Sequence, residues 1–350
     1  MRWGYREVRT STIDYFDIIR GGIGEGFADS IFKLQDSDGK LLSLRGEVTT
    51  QIARMLASSA RNEGRLFYIA NCLRFLEPKT LSQREYWQAG AELMGGEEVA
   101  SDAEAISLIL SALSGFGLKD AHIDIGSVRL FKALAERFGV SDYEKLTKAV
   151  MSKSSEDLKT AVPDPVAREV FSFVMSKRGG PDVVEELANL IGGGFEEECR
   201  YFKELFTLLD VYGCADRVSV DLSTLRELKY YTGTVFEIFL GGFGIPIGGG
   251  GRYDAMMKEF GLENTTATGF AVSVDMCVKA IEAEGFDFNS TAYPLRIFYK
   301  DGFREKAVQL AMELRIKGEP CTVDSYGGEK EGILVGELTI DIARGKTYGV

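Results

Sequence analysis

Side chains that could bind a small molecule are concentrated in residues 225–254. The stretch supplies guanidinium and phenol groups, which donate hydrogen bonds and stack on ligands, at Arg226, Tyr230, Tyr231, Arg252 and Tyr253. An apolar strand pattern, 234–239, divides the stretch, and four glycines, 248–251, follow it. Glycine within a strand pattern weakens the strand and marks a bulge or a place where a ligand or another backbone comes close. A plain hairpin bend also explains a glycine run, but the Arg and Tyr side chains beside it favour a flat surface on which a ligand could lie. The four glycines are called the glycine floor below.

A second candidate binding surface is the predicted strand 84–94. At a period of two residues, one of its faces is mostly apolar and the other carries Gln88, Gly90 and Glu92. The two polar side chains stand about 13 Å apart along a strand that rises roughly 3.3 Å per residue, and Gly90 between them leaves space for a small molecule. A solvated face of an antiparallel sheet is the alternative explanation of this pattern.

A carboxylate and a hydroxyl that suit an ammonium group follow a predicted hairpin. The strands of the hairpin are 31–34 and 41–44, and the loop between them ends in Asp-Gly, a strong turn signal. Glu47 and Thr49 come next, and together they offer the acceptors that an ammonium needs. A helix N-terminus capped by Thr49 explains the same residues without a ligand.

These segments resemble the signature segments of histidyl-tRNA synthetases and of their non-catalytic relatives, the regulatory subunits of short-form ATP phosphoribosyltransferase. The resemblance rests on LRGEVT at 44–49, LRELKYYTGTVFE at 225–237 and GGGGRYDAM at 248–256. It implies an α+β fold, with a class II aminoacyl-tRNA synthetase-like antiparallel sheet flanked by helices. It also implies a histidine pocket, in which Gln88 and Glu92 read the amine and the imidazole. The implied histidine-binding residues are Glu47, Thr49, Arg74, Gln88, Glu92, Arg226, Tyr230, Tyr231 and Tyr253.

The segments that bind ATP in the synthetases differ in this sequence. Arg74 is retained, but Leu76 and Glu77 stand where the family has a Glu and a second Arg, and an acidic residue repels a triphosphate. In the other segment, 266–276, Met276 replaces the Arg that clamps the γ-phosphate. A thioether cannot replace a guanidinium fork at a phosphate. These differences predict that amino-acid activation has been lost and that the chain has no catalysis of its own.

The resemblance covers nearly the whole chain and divides it into two domains. Residues 1–292 correspond to the synthetase-like core, with a helical insertion at about 128–216. Residues 293–350 correspond to a small C-terminal α/β domain, similar to a shortened anticodon-binding domain. Nucleic-acid affinity depends on Lys and Arg that neutralise phosphates, whereas the stretch 325–331 between predicted strands of this domain is acidic. We therefore expect no tRNA binding.

Composition limits the remaining possibilities. The chain has 350 residues with 45% hydrophobic content, enough for one large core and a small second domain, and its formal net charge of −12 argues against a broad surface for polyanions. Five scattered cysteines without CxxC spacing and a single histidine, His122, predict no metal site and no cofactor. We expect His122 to be a half-buried structural residue. Because such cysteines suit a reducing compartment and no apolar run reaches the roughly 18 residues of a membrane span, we expect a cytoplasmic protein without membrane segments.

We therefore interpret the chain as the non-catalytic regulatory subunit of a short-form ATP phosphoribosyltransferase. The family resemblance implies that it activates a catalytic partner subunit, self-associates as a dimer and senses histidine for feedback control of the first step of histidine biosynthesis. Glu227 and Lys229 depart from the family pattern and change the charges at the pocket rim, so the identity of the effector stays open. Two alternatives also stay open: a functional histidyl-tRNA synthetase, and a synthetase-like protein that binds another amino acid or another partner.

Overall fold

The structure is a computed structural model that describes most of the chain. The described residues are 2–23, 28–59, 63–75, 84–226, 230–286, 295–299, 302, 304–325, 333–335 and 338–340. Several residues discussed above lie outside them: Leu76, Glu77, Glu227, Lys229 and most of the acidic stretch 325–331. The contacts between residues divide the chain into two compact units, Met1–Ile281 and Glu282–Val350. The predicted domain boundary at residues 292 and 293 falls outside the described residues and stays a prediction.

Within its described residues, the larger unit contains a nine-stranded sheet and a three-stranded sheet. Its strands are β1 (Arg6–Glu7), β2 (Ile13–Tyr15), β3 (Lys33–Gln35), β4 (Leu41–Leu44), β5 (Gly64–Leu73), β6 (Glu85–Met94), β7 (His122–Ser127), β8 (Arg178–Gly179), β9 (Val218–Asp221), β10 (Thr234–Phe239), β11 (Gly248–Arg252) and β12 (Ala267–Ser273). The orders are β1-β5-β6-β12-β11-β10-β7-β9-β8 and β2-β4-β3. The central pairs of the large sheet are antiparallel as predicted, whereas β1 with β5 and β7 with β9 are parallel.

The predicted hairpin is formed by β3 and β4, which pair from Lys33 opposite Ser43 to Gln35 opposite Leu41. Gly39 in its loop has a φ of +83°, a left-handed conformation that glycine adopts without steric cost. This conformation is what the Asp-Gly signal indicated. The first strand begins later than predicted, and residue 31 instead forms an isolated bridge with residue 74.

Helices flank the large sheet and make up most of the segment between β7 and β9. The helices of the larger unit are α1 (Phe16–Ile23), α2 (Thr49–Ser58), α3 (Glu98–Gly115), α4 (Val128–Arg137), α5 (Tyr143–Met151), α6 (Ser155–Ala161), α7 (Pro165–Ser176), α8 (Asp182–Leu190), α9 (Glu196–Val211), α10 (Asp254–Glu259) and α11 (Val274–Ala283). Helices α4 to α9 form the predicted helical insertion, which β8 interrupts. Side chains that cap helices well start four of them: Ser127, Asp142, Ser154 and Asp164.

Helix α3 begins at Glu98, although Ser101 and Asp102 are residue types that often cap helices. Its N-cap is Glu97, whose carboxylate accepts hydrogen bonds from backbone N–H groups of the first turn. Asp102 instead lies inside the helix, where it is 1% exposed and accepts a hydrogen bond from Arg252. No helix among the described residues has the length and apolar character that crossing a membrane requires.

Strand β6 shows the predicted alternation, but only over part of its length. Ala91 and Leu93 are buried against the core on one face, and Glu92 is buried on the other. Trp87, which lies on the same face as Ala91 and Leu93, is 49% exposed. The apolar face of β6 is therefore packed at the C-terminal end of the strand, where it lies against α3.

In the smaller unit, the described residues form a four-stranded sheet and one helix. These elements are β13 (Leu295–Tyr299), α12 (Arg304–Ile316), β14 (Cys321–Ser325), β15 (Ile333–Val335) and β16 (Leu338–Ile340). The strand order is β14-β13-β16-β15, with β13 and β14 parallel on either side of α12 in sequence. A small core of Ile297, Ala307, Ala311 and Leu314 joins the helix to the sheet. The predicted α/β character of this C-terminal segment is therefore confirmed.

Candidate functional site

A cavity of about 950 Å³ opens on the larger unit over the strands β5, β6, β12, β11 and β10. All nine residues that the resemblance implied for histidine binding line this cavity. They come from segments far apart in the chain: Gln88 and Glu92 lie on β6, Thr49 lies in α2, and the others lie in the connections between helices and strands. That they bind histidine stays a prediction at this point.

Glu92 lies at the base of the cavity and is 2% exposed. Its carboxylate accepts hydrogen bonds from the hydroxyls of Thr49, at 2.7 Å, and Tyr253. The strand opposite makes room for it, because a Cβ atom at Gly269 would lie 1.9 Å from Glu92 Oε2. Burial raises the pKa of Glu92 to about 8. Among the described residues, no Lys, Arg or His forms an ion pair or hydrogen bond with this carboxylate, so its environment suits a cationic ligand.

Glu47 is the second buried carboxylate of the cavity. It accepts a hydrogen bond from the backbone N–H of Thr50 at 3.1 Å and thereby occupies the N-terminus of α2. Burial raises the pKa of Glu47, and the bond from Thr50 opposes this rise. The alternative prediction, that Thr49 caps this helix, was wrong: Thr49 is the first helical residue, and its hydroxyl donates to Glu92 instead.

Three tyrosines form an aromatic wall beside Glu92. The ring centroids of Tyr230 and Tyr231 are 4.6 Å apart, and those of Tyr230 and Tyr253 are 5.9 Å apart in an edge-to-face arrangement. Burial is the main cause that raises the pKa of each hydroxyl, so all three remain neutral phenols. The wall can therefore stack on a planar ligand group and can donate hydrogen bonds to it.

The glycine floor is part of β11, and the side chain that lies against it is that of Arg226. A Cβ atom at Gly249 would lie 2.1 Å from Arg226 Nη1 and 2.4 Å from the carbonyl oxygen of Phe236. Glycine at this position lets the guanidinium lie directly on the sheet. No described residue accepts a hydrogen bond from the buried Nε of Arg226. Arg226 therefore supplies a positive group on the same face as the two carboxylates.

Arg252 does not line the cavity, in contrast to the sequence interpretation. It is 2% exposed and donates hydrogen bonds to the carboxylate of Asp102, at 2.9 and 3.2 Å, and to the carbonyl oxygen of Glu98 at 2.8 Å. The carboxylates of Asp254, at 3.2 Å, and Glu98, at 3.8 Å, also form ion pairs with Arg252. Side chains alternate along a strand, so Arg252 points to the face opposite Gly251 and fastens β11 to α3.

The space predicted above Gly90 is occupied. Tyr68 on the neighbouring strand β5 lies directly opposite Gly90 in the sheet, and a Cβ atom at Gly90 would lie 2.5 Å from both Cζ and Oη of Tyr68. The tyrosine ring therefore covers Gly90 between Gln88 and Glu92. The sequence analysis missed Tyr68, although its position at period two on the strand before β6 was a usable signal.

The cavity is also lined by residues that the resemblance associates with ATP. Arg74 donates to the carbonyl oxygen of Gly46 at 2.7 Å, and its Cζ lies 5.4 Å from the ring centroid of Tyr86. Met276 and Lys279, which was not considered from the sequence, also line the cavity. The lining therefore retains cations, but the thioether of Met276 stands where the resemblance places an arginine.

Two further predictions concern single residue types. His122 is partly buried and stacks on Phe239 with 5.3 Å between ring centroids, as expected of a structural residue. In the part of the chain that the structure describes, no three His, Cys, Asp or Glu side chains gather as metal ligands would. The predicted lack of a metal and of a cofactor stays a prediction.

Comparison with known proteins places this fold and site in a family. The family model described as histidyl-tRNA synthetase matches residues 1–277. The ATP phosphoribosyltransferase regulatory subunit of Ruminiclostridium cellulolyticum is 33% identical over 89% of this chain and 77% of its own length. The histidine–tRNA ligase of Pyrococcus furiosus is 32% identical over 98% of this chain and 86% of its own.

A solved structure supports the same assignment. The protein described as an ATP phosphoribosyltransferase regulatory subunit/histidyl-tRNA synthetase from Bacillus halodurans has a TM-score of 0.82 at 29% identity, over 94% of this chain and 86% of its own. The apo histidyl-tRNA synthetase of S. aureus, at 21% identity and a TM-score of 0.65, supports the fold. The chain therefore belongs to the histidyl-tRNA synthetase-like family, which includes the regulatory subunits of ATP phosphoribosyltransferase.

Proposed function

We propose that this chain is the regulatory subunit of a short-form ATP phosphoribosyltransferase and that the cavity binds free histidine. The observation that carries the proposal is the composition of the cavity lining. Buried carboxylates, phenols and Arg226, which are groups that suit an amino acid, line the cavity. Met276 lines it where the resemblance places a phosphate-binding arginine.

The charges of the cavity suit a zwitterion. The ammonium and the imidazole are cationic or hydrogen-bond donors, and Glu92 and Glu47 are the buried acceptors that they would satisfy. The ligand carboxylate would pair with a guanidinium, and the guanidinium of Arg226 lines the cavity. A buried carboxylate without a cation is unfavourable, so a cationic ligand gains free energy by entering this cavity.

The regulatory role follows from linkage. A ligand shifts the equilibrium between two states of a complex only by the difference between its affinities for them. Histidine bound in this cavity would therefore inhibit the complex if the inactive arrangement holds it more tightly. The relatives named as regulatory subunits support a catalytic partner chain. Dimerisation, the lack of tRNA binding, the lack of catalysis and a cytoplasmic location belong to this proposal and stay predictions.

An activity assay tests the proposed role. The purified chain is mixed with the short-form catalytic subunit encoded in the same genome, and ATP phosphoribosyltransferase activity is measured with and without histidine. We expect the chain to raise the activity and histidine to lower it. The matched variant Glu92→Gln should still activate but should respond to histidine only at much higher concentration. A chain that neither activates nor confers histidine inhibition would refute the proposal.

A second candidate function is that of a histidyl-tRNA synthetase. Two observations favour it: the extended match to the Pyrococcus furiosus ligase, and Lys279, which lines the cavity one turn after Met276 on α11. Histidine-dependent exchange of pyrophosphate into ATP separates the two functions, because only a synthetase forms an aminoacyl adenylate. We expect no exchange above that of a blank without protein.

A further inference from the structure

The helical insertion contacts the strands of the cavity through a buried polar network on the sheet face opposite the cavity. The centre of this network is the hydroxyl of Tyr201 on α9, a side chain that is 7% exposed. It donates to the ionised carboxylate of Asp102, which can only accept, so its oxygen accepts from the hydroxyl of Thr234 at 2.6 Å. Asp102 also accepts from Arg252. One side chain of the insertion is thus bound to α3, to β10 and, through Asp102, to β11.

Residues of this network are neighbours in sequence of residues that line the cavity. Arg252 precedes Tyr253, whose hydroxyl donates to Glu92. Because one rigid peptide bond joins Arg252 to Tyr253, a shift of the backbone at Tyr253 also moves Arg252. In the segment before β10, Thr232 follows Tyr231, and its backbone N–H donates to the carbonyl oxygen of Arg252 at 2.9 Å. Both cavity tyrosines are therefore connected to the network through the backbone.

The first helix of the insertion is attached to the same segment. The backbone N–H of Val128, the first residue of α4, donates to the carbonyl oxygen of Gly233 at 3.0 Å. The next residue, Arg129, forms an ion pair with Glu198 on α9 at 3.4 Å, and its Cζ lies 5.7 Å from the ring centroid of Tyr201. The first and last helices of the insertion are thus bound to each other and to the segment that follows Tyr231.

We propose that Tyr201 links the helical insertion to the cavity, so that a ligand in contact with Tyr231 and Tyr253 restrains helices α4 and α9. The inference rests on the proposed function in taking histidine as the ligand. It adds a route by which an occupied cavity changes a part of the molecule outside it. A segment that a ligand has already ordered binds a further partner at a lower entropic cost, so this restraint provides a regulatory coupling between the two.

A purely structural role for Tyr201 makes a different prediction. If its hydroxyl only holds α9 in place, its loss should speed amide hydrogen exchange in α4 and α9 by the same factor with and without histidine. If the hydroxyl links these helices to the cavity, its loss should remove the protection that histidine adds. The ratio of the exchange rates without and with ligand therefore separates the two roles.

Hydrogen–deuterium exchange followed by mass spectrometry, with each protein saturated with L-histidine, measures this ratio. In the wild type, we expect histidine to slow exchange in α4 and α9 by about 5-fold, the effect of one hydrogen bond. In Tyr201→Phe the ratio should fall below about 2-fold, while residues 230–253 remain protected. Thr234→Val removes the other hydroxyl of the link and should act in the same way, so that one variant suffices if the other does not fold.

The matched control is Tyr212→Phe. Tyr212 is the C-cap of the same helix and is 45% exposed, and its ring stacks on Trp3. Loss of its hydroxyl keeps this stacking and does not touch the network, so the wild-type ratio should be preserved in α4 and α9.

The outcomes separate this inference from the proposed function. If histidine protects residues 230–253 of the wild type but not α4 and α9, the link is refuted and the histidine site stands. The link is also refuted if Tyr201→Phe or Thr234→Val, saturated with histidine, keeps the wild-type ratio. If histidine protects no part of the wild-type chain and does not bind to it, the proposed function itself is refuted, and the inference falls with it.

Discussion

Two buried acidic clusters lie on opposite faces of the same sheet, and they are stabilised in different ways. Asp102, on the face of α3, is 1% exposed and is paired with the equally buried Arg252. Glu92, on the cavity face, is 2% exposed and accepts hydrogen bonds only from neutral hydroxyls among the described residues. Because removing a charge from water without a counter-charge is costly, the first cluster is complete within the chain, whereas Glu92 lacks a cation among the described residues and its pKa is raised to about 8. The carboxylate of Asp102 is thus structural, whereas that of Glu92 is the candidate for binding a ligand.

The two clusters lie in adjacent rows of the sheet. Leu93, Thr268 and Arg252 lie opposite one another across β6, β12 and β11, and the next row is formed by Glu92, Gly269 and Gly251. One row holds side chains that pack against α3. The other replaces side chains by glycines and so leaves a cavity above the sheet. The glycines near Glu92 are thus the feature that converts this face into a binding site.

The largest expected effect is the loss of stability when the structural cluster is broken. Asp102→Asn removes the charge that compensates the buried Arg252 and should lower the free energy of unfolding by about 3–5 kcal/mol. Glu92→Gln replaces a carboxyl group that has no cationic partner among the described residues and whose pKa is raised to about 8, so it should leave the stability at pH 7 unchanged or higher. Urea denaturation of both variants measures this difference. Equal losses in the two variants would remove the distinction between the clusters.

A smaller effect is expected when a side chain is added to the glycine floor. Gly249→Ala places a Cβ atom 2.4 Å from the carbonyl oxygen of Phe236, and because this is a backbone atom the strands must move apart, at a cost of about 2–3 kcal/mol. The same change should weaken histidine binding by displacing Arg226. Gly115→Ala is the matched control, since no atom lies within 4 Å of a Cβ there. Thermal unfolding and calorimetry report the two effects.

The dependence of stability on pH should differ between the clusters. Folding raises the pKa of Glu92 from its ordinary value of 4.5 to about 8, so the folded state takes up a proton between these values. Without ligand, the free energy of unfolding of the wild type relative to Glu92→Gln should therefore be highest below pH 4.5 and should fall by at most about 1.4 kcal/mol per pH unit as pH rises to 8. Denaturant unfolding at several pH values measures this slope. If the difference in the free energy of unfolding between the two proteins does not change with pH, Glu92 is already ionised and paired.

The smallest of these effects concerns one hydroxyl. Tyr253→Phe removes one of the two donors to Glu92 but keeps the ring that packs against Tyr230. We expect histidine affinity to fall by about 5-fold, the effect of one hydrogen bond, with little change in stability. Calorimetric titration measures the change. A loss of stability as large as that of Asp102→Asn would instead place Tyr253 among the structural residues.

The resemblance in sequence identified the lining of the cavity but not the interactions that complete it. All nine predicted residues line the cavity. They could be predicted because each lies in a segment whose residue order and spacing are recognisable. The structural role of Arg252 could not be predicted from a local pattern, since its partner Asp102 is 150 residues away in the chain. Alternation along β6 correctly assigned Glu92 to the cavity face. The same alternation could not indicate how far the Tyr68 ring, on the adjacent strand β5, extends over Gly90.

The start of α3 illustrates a second limit. Ser101 and Asp102 are residue types that cap helices well, and on local preference alone they mark an N-terminus. The helix nevertheless begins at Glu98, because Glu97 serves as the cap and Asp102 pairs with Arg252 in the tertiary structure. Local signals therefore predicted the helix, and contacts between distant residues determined its first turn.

The most direct test is calorimetric titration of the purified chain with L-histidine, with wild type and Glu92→Gln measured in parallel. Since Glu92 is the buried carboxylate that a cationic ligand would compensate, we expect saturable binding to the wild type and an affinity reduced by about 100-fold in the variant. We also expect proton release on binding near pH 7, seen as a dependence of the heat on the ionisation enthalpy of the buffer. Equal affinities in the two proteins, or no binding to the wild type, would contradict the account.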